Sequence, residues 1–515
     1  MEHRLYPWQE QCLKQWHKNN FHGIVNVVTG GGKTYLALAA AKQLAEQVGR
    51  SQLRIKIVVP TAALLTQWTM AIVDFFDGSI SRRDIGLCYG GHRDTPDRLF
   101  VIYVINSARY CVARHILKDM KDGFTAFLIA DECHRYTGSE NQKIFDFLPF
   151  VGTCPGQYAS LGLSATPGLE RPEHASVLIP ALGREIFRYG LKEAEQEDTL
   201  CPYAAFHIAL SFQAEERMEY EEASDRLVRL FRTLLSKYPS LKGVRGSQFF
   251  GALCRIAGDN GKYAYLARQY LSTSFKRKHL TSDAKSRISC VLKLIGLLDG
   301  RSRIIIFGER MEQADILYKE LDLRYPNQAA RCHSGMDPSA RKLALERFRD
   351  GEVRILITCR ALDEGFNVPS ANVGIVMSST SANRQRIQRL GRILRRYEGK
   401  EISSLYYLYV AESSEEASYF PVDASMVTAC ELSYHWEDDT FSHPFYEKRV
   451  RAAMRRFQRK NPDAVLLAEA ESCFSRGIVR ADWLMGEAYC GKRIQVAKTA
   501  AERNYWICMK QIAKE

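Results

Sequence analysis

Short apolar runs punctuate the chain at intervals set by longer mixed segments. IVNVV (24–28), IKIVV (55–59), VIYVI (101–105) and AFLIA (126–130) each end in a polar turn and lead into a stretch with helical spacing. Runs this short and this apolar predict buried strands, and strands alternating with helices predict a doubly wound parallel sheet. The rhythm stops near residue 190. Residues 213–238, QAEERMEYEEASDRLVRLFRTLLSKY, predict one charged amphipathic helix. Apolar runs then return at 303–307 (RIIIF), 354–358 (RILIT), 373–377 (VGIVM) and 404–410 (SLYYLYV). The expected fold is therefore α/β, with two tandem parallel-sheet blocks. The first occupies residues 1–195 and the second 196–412, the latter carrying a helical insert at about 213–282. No short tandem repeat or low-complexity tract interrupts the pattern.

Beyond the second block the chain changes character. Residues 412–446 carry eight acidic side chains and no Lys or Arg, so 413–446 is expected to be an acidic connector. Residues 447–515 carry 15 Lys or Arg against 8 Asp or Glu, and open with EKRVRAAMRRFQRK. They are expected to form a basic helical C-terminal domain.

Composition narrows the class. At ~100–200 residues per domain, 515 residues suggest about three domains. Hydrophobic content of 46% and charged content of 25% are ordinary for a packed globular chain. No apolar run reaches the ~18–20 residues that cross a bilayer, so no membrane partner is expected. MEHRLYPWQEQ at the start lacks the apolar core of a secretion signal. The 14 cysteines are scattered without a CxxC pair, which disfavours a zinc or disulfide framework and fits a reducing cytosol, at the nucleoid if the source is prokaryotic. A net charge of +13 points to an anionic partner, nucleic acid above all.

Two stretches carry chemistry. Thr29-Gly30-Gly31-Gly32-Lys33-Thr34 sits between a strand and a helix. Glycines there let backbone N–H groups converge on phosphate oxygens, and the helix N-terminus adds a favourable dipole. Lys33 would reach the β- and γ-phosphates of ATP and Thr34 would ligate Mg²⁺. A strict phosphate-loop pattern wants glycine at position 27, where this chain has Val27. About a hundred residues later, FLIADECHRY (127–136) ends an apolar strand with paired carboxylates. Asp131 is placed to hold Mg²⁺, and Glu132 to orient and deprotonate the attacking water.

With these residues in place, the chain resembles the superfamily 2 helicases and translocases of the DExH type. LYPWQEQCLKQW (5–16) resembles the adenine-reading element, with Gln9 as its key side chain and Arg4 just before it. VNVVTGGGKT (25–34), VVPTAALLTQW (58–68), GLCYGG (86–91), DECH (131–134) and LGLSATP (161–167) resemble the front-lobe motifs in family order. IIIFGER (304–310), CHSGM (332–336), ITCRALDEGFNVP (357–369) and QRIQRLGRILRR (385–396) resemble those of the rear lobe. The resemblance covers residues 1 to about 410. DEGFNVP followed by QRLGRILR is closer to XPB-type enzymes and to the motors of type I and III restriction systems than to the RNA-dedicated DEAD-box branch.

This resemblance implies two RecA-like domains with ATP in the cleft between them. Arg392 and Arg395 match the family's arginine fingers, Gln388 would contact the γ-phosphate, and Asp363 and Gly365 would line the ribose side. His134, Ser164 and Thr166 would couple the nucleotide site to the nucleic-acid track. Phosphates of that track would meet Thr61, Gln67, Gly90, Gly91, Ser334, Gly335 and Arg360, with Thr61 also readable as a plain helix N-cap. The expected activity is an ATP- and Mg²⁺-dependent helicase or translocase, acting on DNA in repair, recombination or restriction-like defence. An RNA helicase and an ATP-switched clamp without processive movement remain as alternatives. In the C-terminal region, residues 477–511 suggest two or three helices with a turn at Gly491. They would expose Lys492, Arg493 and Lys498 to duplex DNA, or else dock a partner protein.

Overall fold

The computed structural model describes residues 5–151, 156–190, 193–194, 197, 201, 203–259, 261–298, 300–359, 371–378, 403–419, 430–442, 452, 455–456, 459 and 486–514. Its strands form two eight-stranded sheets, each dominated by parallel pairs.

The first sheet has the order β4-β3-β5-β2-β6-β7-β1-β8. Its strands are β1 (Ile24–Val27), β2 (Leu53–Val59), β3 (Ile85–Tyr89), β4 (His92–Arg93), β5 (Phe100–Val104), β6 (Thr125–Asp131), β7 (Tyr158–Ser164) and β8 (Glu185–Tyr189). Helices cover both faces, which is why the strands read as nearly continuous apolar runs. Ile55, Ile57 and Val59 of β2 join one apolar cluster, while Val58 joins the other; Phe127 and Ile129 of β6 likewise oppose Ala126, Leu128 and Ala130. The order matters for function. β7 lies between β1 and β6, so the glycine turn after β1 and the carboxylates after β6 stand at tips one strand apart.

The second sheet has the order β11-β12-β10-β13-β14-β9-β15-β16. It comprises β9 (Tyr203–Leu210), β10 (Ile304–Gly308), β11 (Ala329–His333), β12 (Ile355–Cys359), β13 (Val373–Val376), β14 (Ser403–Val410), β15 (Cys430–Glu437) and β16 (Thr440–Ser442). Helices Ala214–Lys237, Gly246–Gly258 and Ala264–Ser282 leave after β9, and the chain re-enters the sheet at β10. Their own small core includes Leu234, Leu253, Phe249 and Leu266.

Two expectations about the end of the chain are corrected. Residues 430–442 are not a connector: β15 pairs in parallel with β9 from Cys430 to Trp436, and β16 folds back on it. Tyr434 and Trp436 are buried, while the intervening His435 is exposed, the alternation of a strand covered on one face. The acidic residues flanking them, Glu431, Glu437, Asp438 and Asp439, hid that period. Helices Gly486–Val496 and Ala500–Ala513 do not stand apart either; Cys490, Tyr505, Trp506 and Met509 share one apolar cluster with Tyr434, Trp436 and Phe206 of the second sheet. Gly491 lies inside the first of these helices rather than at a turn. Most of 443–485 lies outside the described residues. Among the described residues no helix is long and apolar enough to cross a membrane.

Candidate functional site

The turn after β1 needs its glycines for different reasons. Gly30 and Gly32 have φ of 91° and 97°, a region that side chains disfavour. Gly31 has no room: a Cβ there would stand 2.9 Å from Val27 Cγ1 and 3.2 Å from the Val28 carbonyl oxygen. Gly32 then serves as N-cap of helix α2 (Lys33–Val48), and no side chain caps that end. The first N–H groups of α2 are thus left for a ligand, and an anion is what they favour. Thr29 Oγ1, in the same turn, is buried with no hydrogen-bond partner among the described residues.

Lys33 and Thr34 open α2. The Lys33 ammonium lies 3.5 Å from Glu132 Oε1 and 3.4 Å from the Val27 carbonyl. Asp131, the last residue of β6, is 6% exposed. The Trp68 indole N–H, from helix α3 (Ala62–Phe75), donates to its Oδ2 at 2.8 Å, and the Glu132 backbone N–H donates to Oδ1 at 3.0 Å. Burial, and then the neighbouring Glu132 carboxylate, push the Asp131 acid up to about 6 against the opposing pull of Lys33 and the Trp68 bond. Glu132 itself takes a left-handed backbone, φ 49° and ψ 50°. A non-glycine residue held there is a strained element of the kind that gathers at functional sites.

The next strand tip carries the link between these residues and LGLSATP (161–167). His134 Nδ1 and the Ser164 hydroxyl are 2.8 Å apart, and the Thr166 backbone N–H donates to Ser164 Oγ at 3.0 Å. His134 Nδ1 also lies 3.5 Å from Glu132 Oε2. A chain of contacts therefore runs Lys33–Glu132–His134–Ser164–Thr166 across the tips of β1, β6 and β7.

Gln9 reaches the same turn from helix α1 (Pro7–Lys18). Its amide nitrogen donates to the Gly32 carbonyl at 3.0 Å, and its Oε1 accepts from the Tyr6 N–H at 2.9 Å. Trp8 beside it stacks on Tyr189, ring centroids 4.7 Å apart, which pins α1 against the end of β8.

The residues expected along the nucleic-acid track are more dispersed. Thr61 is the N-cap of α3, its hydroxyl accepting from the Leu64 N–H at 3.4 Å. Gln67 lies partly exposed on α3. Gly90 and Gly91 form the exposed turn from β3 to β4, and a Cβ on either would meet open space. Ser334 and Gly335 form an exposed turn after β11. Arg4, Arg360, Asp363, Gly365, Gln388, Arg392 and Arg395 lie outside the described residues. At the far end, Lys492 and Lys498 are exposed, but Arg493 is not free on the surface: its guanidinium lies 5.1 Å from the Trp506 ring centroid and 3.6 Å from Glu502.

Two contributors escaped sequence reasoning. Trp68 reads as a core aromatic on an apolar helix, and its bond to Asp131 leaves no local trace. Tyr136 reads likewise, yet its buried hydroxyl lies 2.5 Å from the Asp131 carbonyl and 2.9 Å from that of Val58, tying the acidic turn to β2.

The donor set fits a nucleoside triphosphate with its magnesium. An ammonium, uncapped helix amides and an unpartnered buried hydroxyl suit phosphate oxygens, while the Thr34 hydroxyl and the Asp131 carboxylate are hard oxygen donors suited to Mg²⁺.

Comparisons with known proteins bear on the family and the fold. Residues 2–169 match the family described as type III restriction enzyme, res subunit, and residues 286–397 match the helicase conserved C-terminal domain. The DNA 3'-5' translocase XPB2 of Sulfurisphaera tokodaii is 28% identical over 398 residues, covering 76% of this chain and 79% of that protein. The DNA 3'-5' helicase XPB of Kineococcus radiotolerans is 22% identical over 418 residues, and this chain spans 61% of its length. Among solved structures, a fragment of an HsdR subunit of a type I restriction enzyme from Vibrio vulnificus superposes with a TM-score of 0.54 at 16% identity, covering 86% of this chain and 71% of that one. The Hef helicase domain of Pyrococcus furiosus superposes with a TM-score of 0.50 at 17% identity, covering 80% of this chain and 97% of that one.

Proposed function

From the premise that this chain is a superfamily 2 helicase, near the XPB-type and restriction-motor branches, we propose that it is a DNA translocase or helicase driven by ATP hydrolysis at the tips of β1, β6 and β7. The observation that carries the reading is the convergence there of Lys33, Glu132 and the buried Asp131 beside an uncapped helix N-terminus.

Each side chain has a task that its chemistry suits. Lys33 and the first amides of α2 bind the β- and γ-phosphates. Thr34 and Asp131 hold Mg²⁺, which when bound neutralises phosphate charge. Trp68 and the Glu132 backbone N–H fix the orientation of the Asp131 carboxylate, which would hold the ion. Glu132 orients the attacking water and takes its proton. Gln9 reads the base while its bond to the Gly32 carbonyl ties base recognition to the phosphate turn. From the second lobe, Arg392 and Arg395 stabilise the charge on the transferring phosphoryl group, Gln388 contacts the γ-phosphate, and Asp363 and Gly365 flank the ribose. Guanidinium groups in that role contribute roughly 10³–10⁵ in rate. Because they belong to a different lobe from Lys33, turnover requires closure, and closure is what moves the nucleic acid.

Ser164 relays that closure. Its hydroxyl touches both His134, next to the water-orienting carboxylate, and the Thr166 backbone, so a shift of the loop after β7 is felt at Glu132. The track itself is met through phosphates by Thr61, Gln67, Gly90, Gly91, Ser334, Gly335 and Arg360. Such contacts carry no sequence code and weaken steeply with salt.

The test is ATP hydrolysis measured side by side with single-stranded DNA, duplex DNA and RNA over a salt series, with strand displacement assayed on the same substrates. DNA should stimulate hydrolysis, with an affinity that falls as salt rises. Stronger stimulation by RNA would reassign the substrate. DNA-stimulated hydrolysis without displacement would assign a translocase rather than a helicase.

A further inference from the structure

We propose that His333 is a positioning residue that holds the Ser334–Gly335 turn in the shape that receives a backbone phosphate of the nucleic acid; the inference rests on the motor reading above.

β11 ends at His333, and the chain turns at once. The Met336 N–H donates to the His333 carbonyl at 3.1 Å, leaving Ser334 and Gly335 as the exposed central residues of a closed turn. The turn is held from both sides. Beyond it, Asp337 caps the helix Pro338–Asp350 by accepting from the Ser339 N–H at 2.9 Å. Beneath it lies the His333 ring, 5% exposed.

That ring is fixed by one nitrogen and faces the turn with the other. Nε2 lies 2.9 Å from Asp315 Oδ1, so the proton of the neutral ring belongs on Nε2. Asp315, on the helix Met311–Arg324, is itself held by Arg331. Nδ1 is buried and has no hydrogen-bond partner among the described residues. It stands 3.3 Å from where a Cβ on Gly335 would be, with Met311 Sδ at 3.1 Å on the other side. A side chain at 335 would press on both neighbours, which favours glycine there and a backbone left bare toward solvent.

An apolar ring would fill this space without leaving a buried nitrogen unsatisfied. The imidazole is favoured where the ring must be locked in one orientation, and Asp315 supplies the lock. Ser334 completes the site. Its hydroxyl lies 3.6 Å from Met311 Sδ, a weak acceptor that a phosphate oxygen readily displaces. The exposed hydroxyl and the bare glycine backbone are the donors that recognise a phosphodiester without reading its base.

The test is DNA-stimulated ATP hydrolysis, titrated with a mixed-sequence single-stranded oligonucleotide. His333→Ala should raise the half-saturating DNA concentration about tenfold, equivalent to ~1.4 kcal/mol, while the saturated rate stays within about twofold of wild type. His333→Gln, whose amide N–H can reach Asp315, should recover most of the affinity, and Asp315→Leu should match His333→Ala. An unchanged half-saturation point in both His333→Ala and Asp315→Leu overturns the proposal. So does a saturated rate that falls in step with the thermal midpoint, which is the mark of a merely structural residue. Absence of any DNA stimulation in the wild-type protein would instead remove the motor reading, and this proposal with it.

Discussion

Two buried charges contrast: Asp131, at a strand tip of the first sheet, is crowded by Glu132, whereas Arg287, on a helix against the second sheet, is satisfied from several sides. Asp131 has an indole and one backbone N–H for partners, and burial beside Glu132 raises its acid constant. Arg287, fully buried at the start of the helix Ser286–Leu297, donates from Nε to the Thr281 carbonyl at 2.9 Å, from one terminal nitrogen to the carbonyls of Leu408 and Met377, and from the other to Glu415. Those partners come from the end of the helical insert, from β14, from the residue after β13 and from the helix beyond β14. The arginine ties the insert to the second sheet. The difference teaches what each charge is for: Asp131 is a group that a ligand completes, while Arg287, like the buried Lys56–Asp119 pair of the first sheet, joins elements.

The comparison is broken most severely by Lys33→Ala. If the first sheet's tip residues serve chemistry, turnover should fall to background while the unfolding midpoint stays close to wild type. A large loss of stability would show instead that Lys33 is a structural partner of Glu132. The second sheet should respond in the opposite sense. Arg287→Met removes the guanidinium that pairs with the mostly buried Glu415 and that donates to three backbone carbonyls, so denaturant unfolding should show a loss of about 3–5 kcal/mol.

A smaller effect follows from Asp131. Its acid is weaker in the folded chain, near 6, than the ordinary carboxylate value of 3.8, so the folded state holds this proton more tightly than the unfolded state does. Stability from this group is present at low pH and is lost as pH rises from about 4 to about 6, by ~3 kcal/mol at 1.36 kcal/mol per unit. In magnesium-free buffer, Asp131→Asn should flatten that slope, and Trp68→Phe, which removes a bond to the charged form, should extend it to higher pH. The smallest change is Gly32→Ala. A left-handed alanine, with its Cβ 3.0 Å from Gln9 Nε2, should cost ~1–2 kcal/mol and weaken nucleotide binding.

Much of this was legible in the sequence because the signals are local. The runs at 24–28, 55–59, 101–105 and 126–130 become β1, β2, β5 and β6 within two residues at either end, since strands buried on both faces need apolar side chains throughout. The helix expected over 213–238 spans Ala214–Lys237. What escaped is long-range. β9 pairs with β14 across almost two hundred residues of chain, and β15 adds beside it, so although the bounds 196–412 put it in the second block, no window around YAAFHIAL shows which strands it joins. The segment around Tyr434 and Trp436 was read by its acidic charge, whereas its role follows from the two aromatics on alternate positions. In the site, Lys33, Asp131 and Glu132 announce themselves by type and spacing. Trp68 and Tyr136 do not, because an indole or phenol that bonds a catalytic turn looks the same in sequence as one that fills a core.

The central claim is that the tips of β1, β6 and β7 form one hydrolytic nucleotide site. Its most direct test is Glu132→Gln, measured for ATP binding and for DNA-stimulated hydrolysis in the same preparation. The substitution keeps the shape of the side chain and removes the charge that takes a proton from water. ATP binding should persist while the stimulated rate falls by at least ~10²-fold. Wild-type turnover in Glu132→Gln would contradict the account.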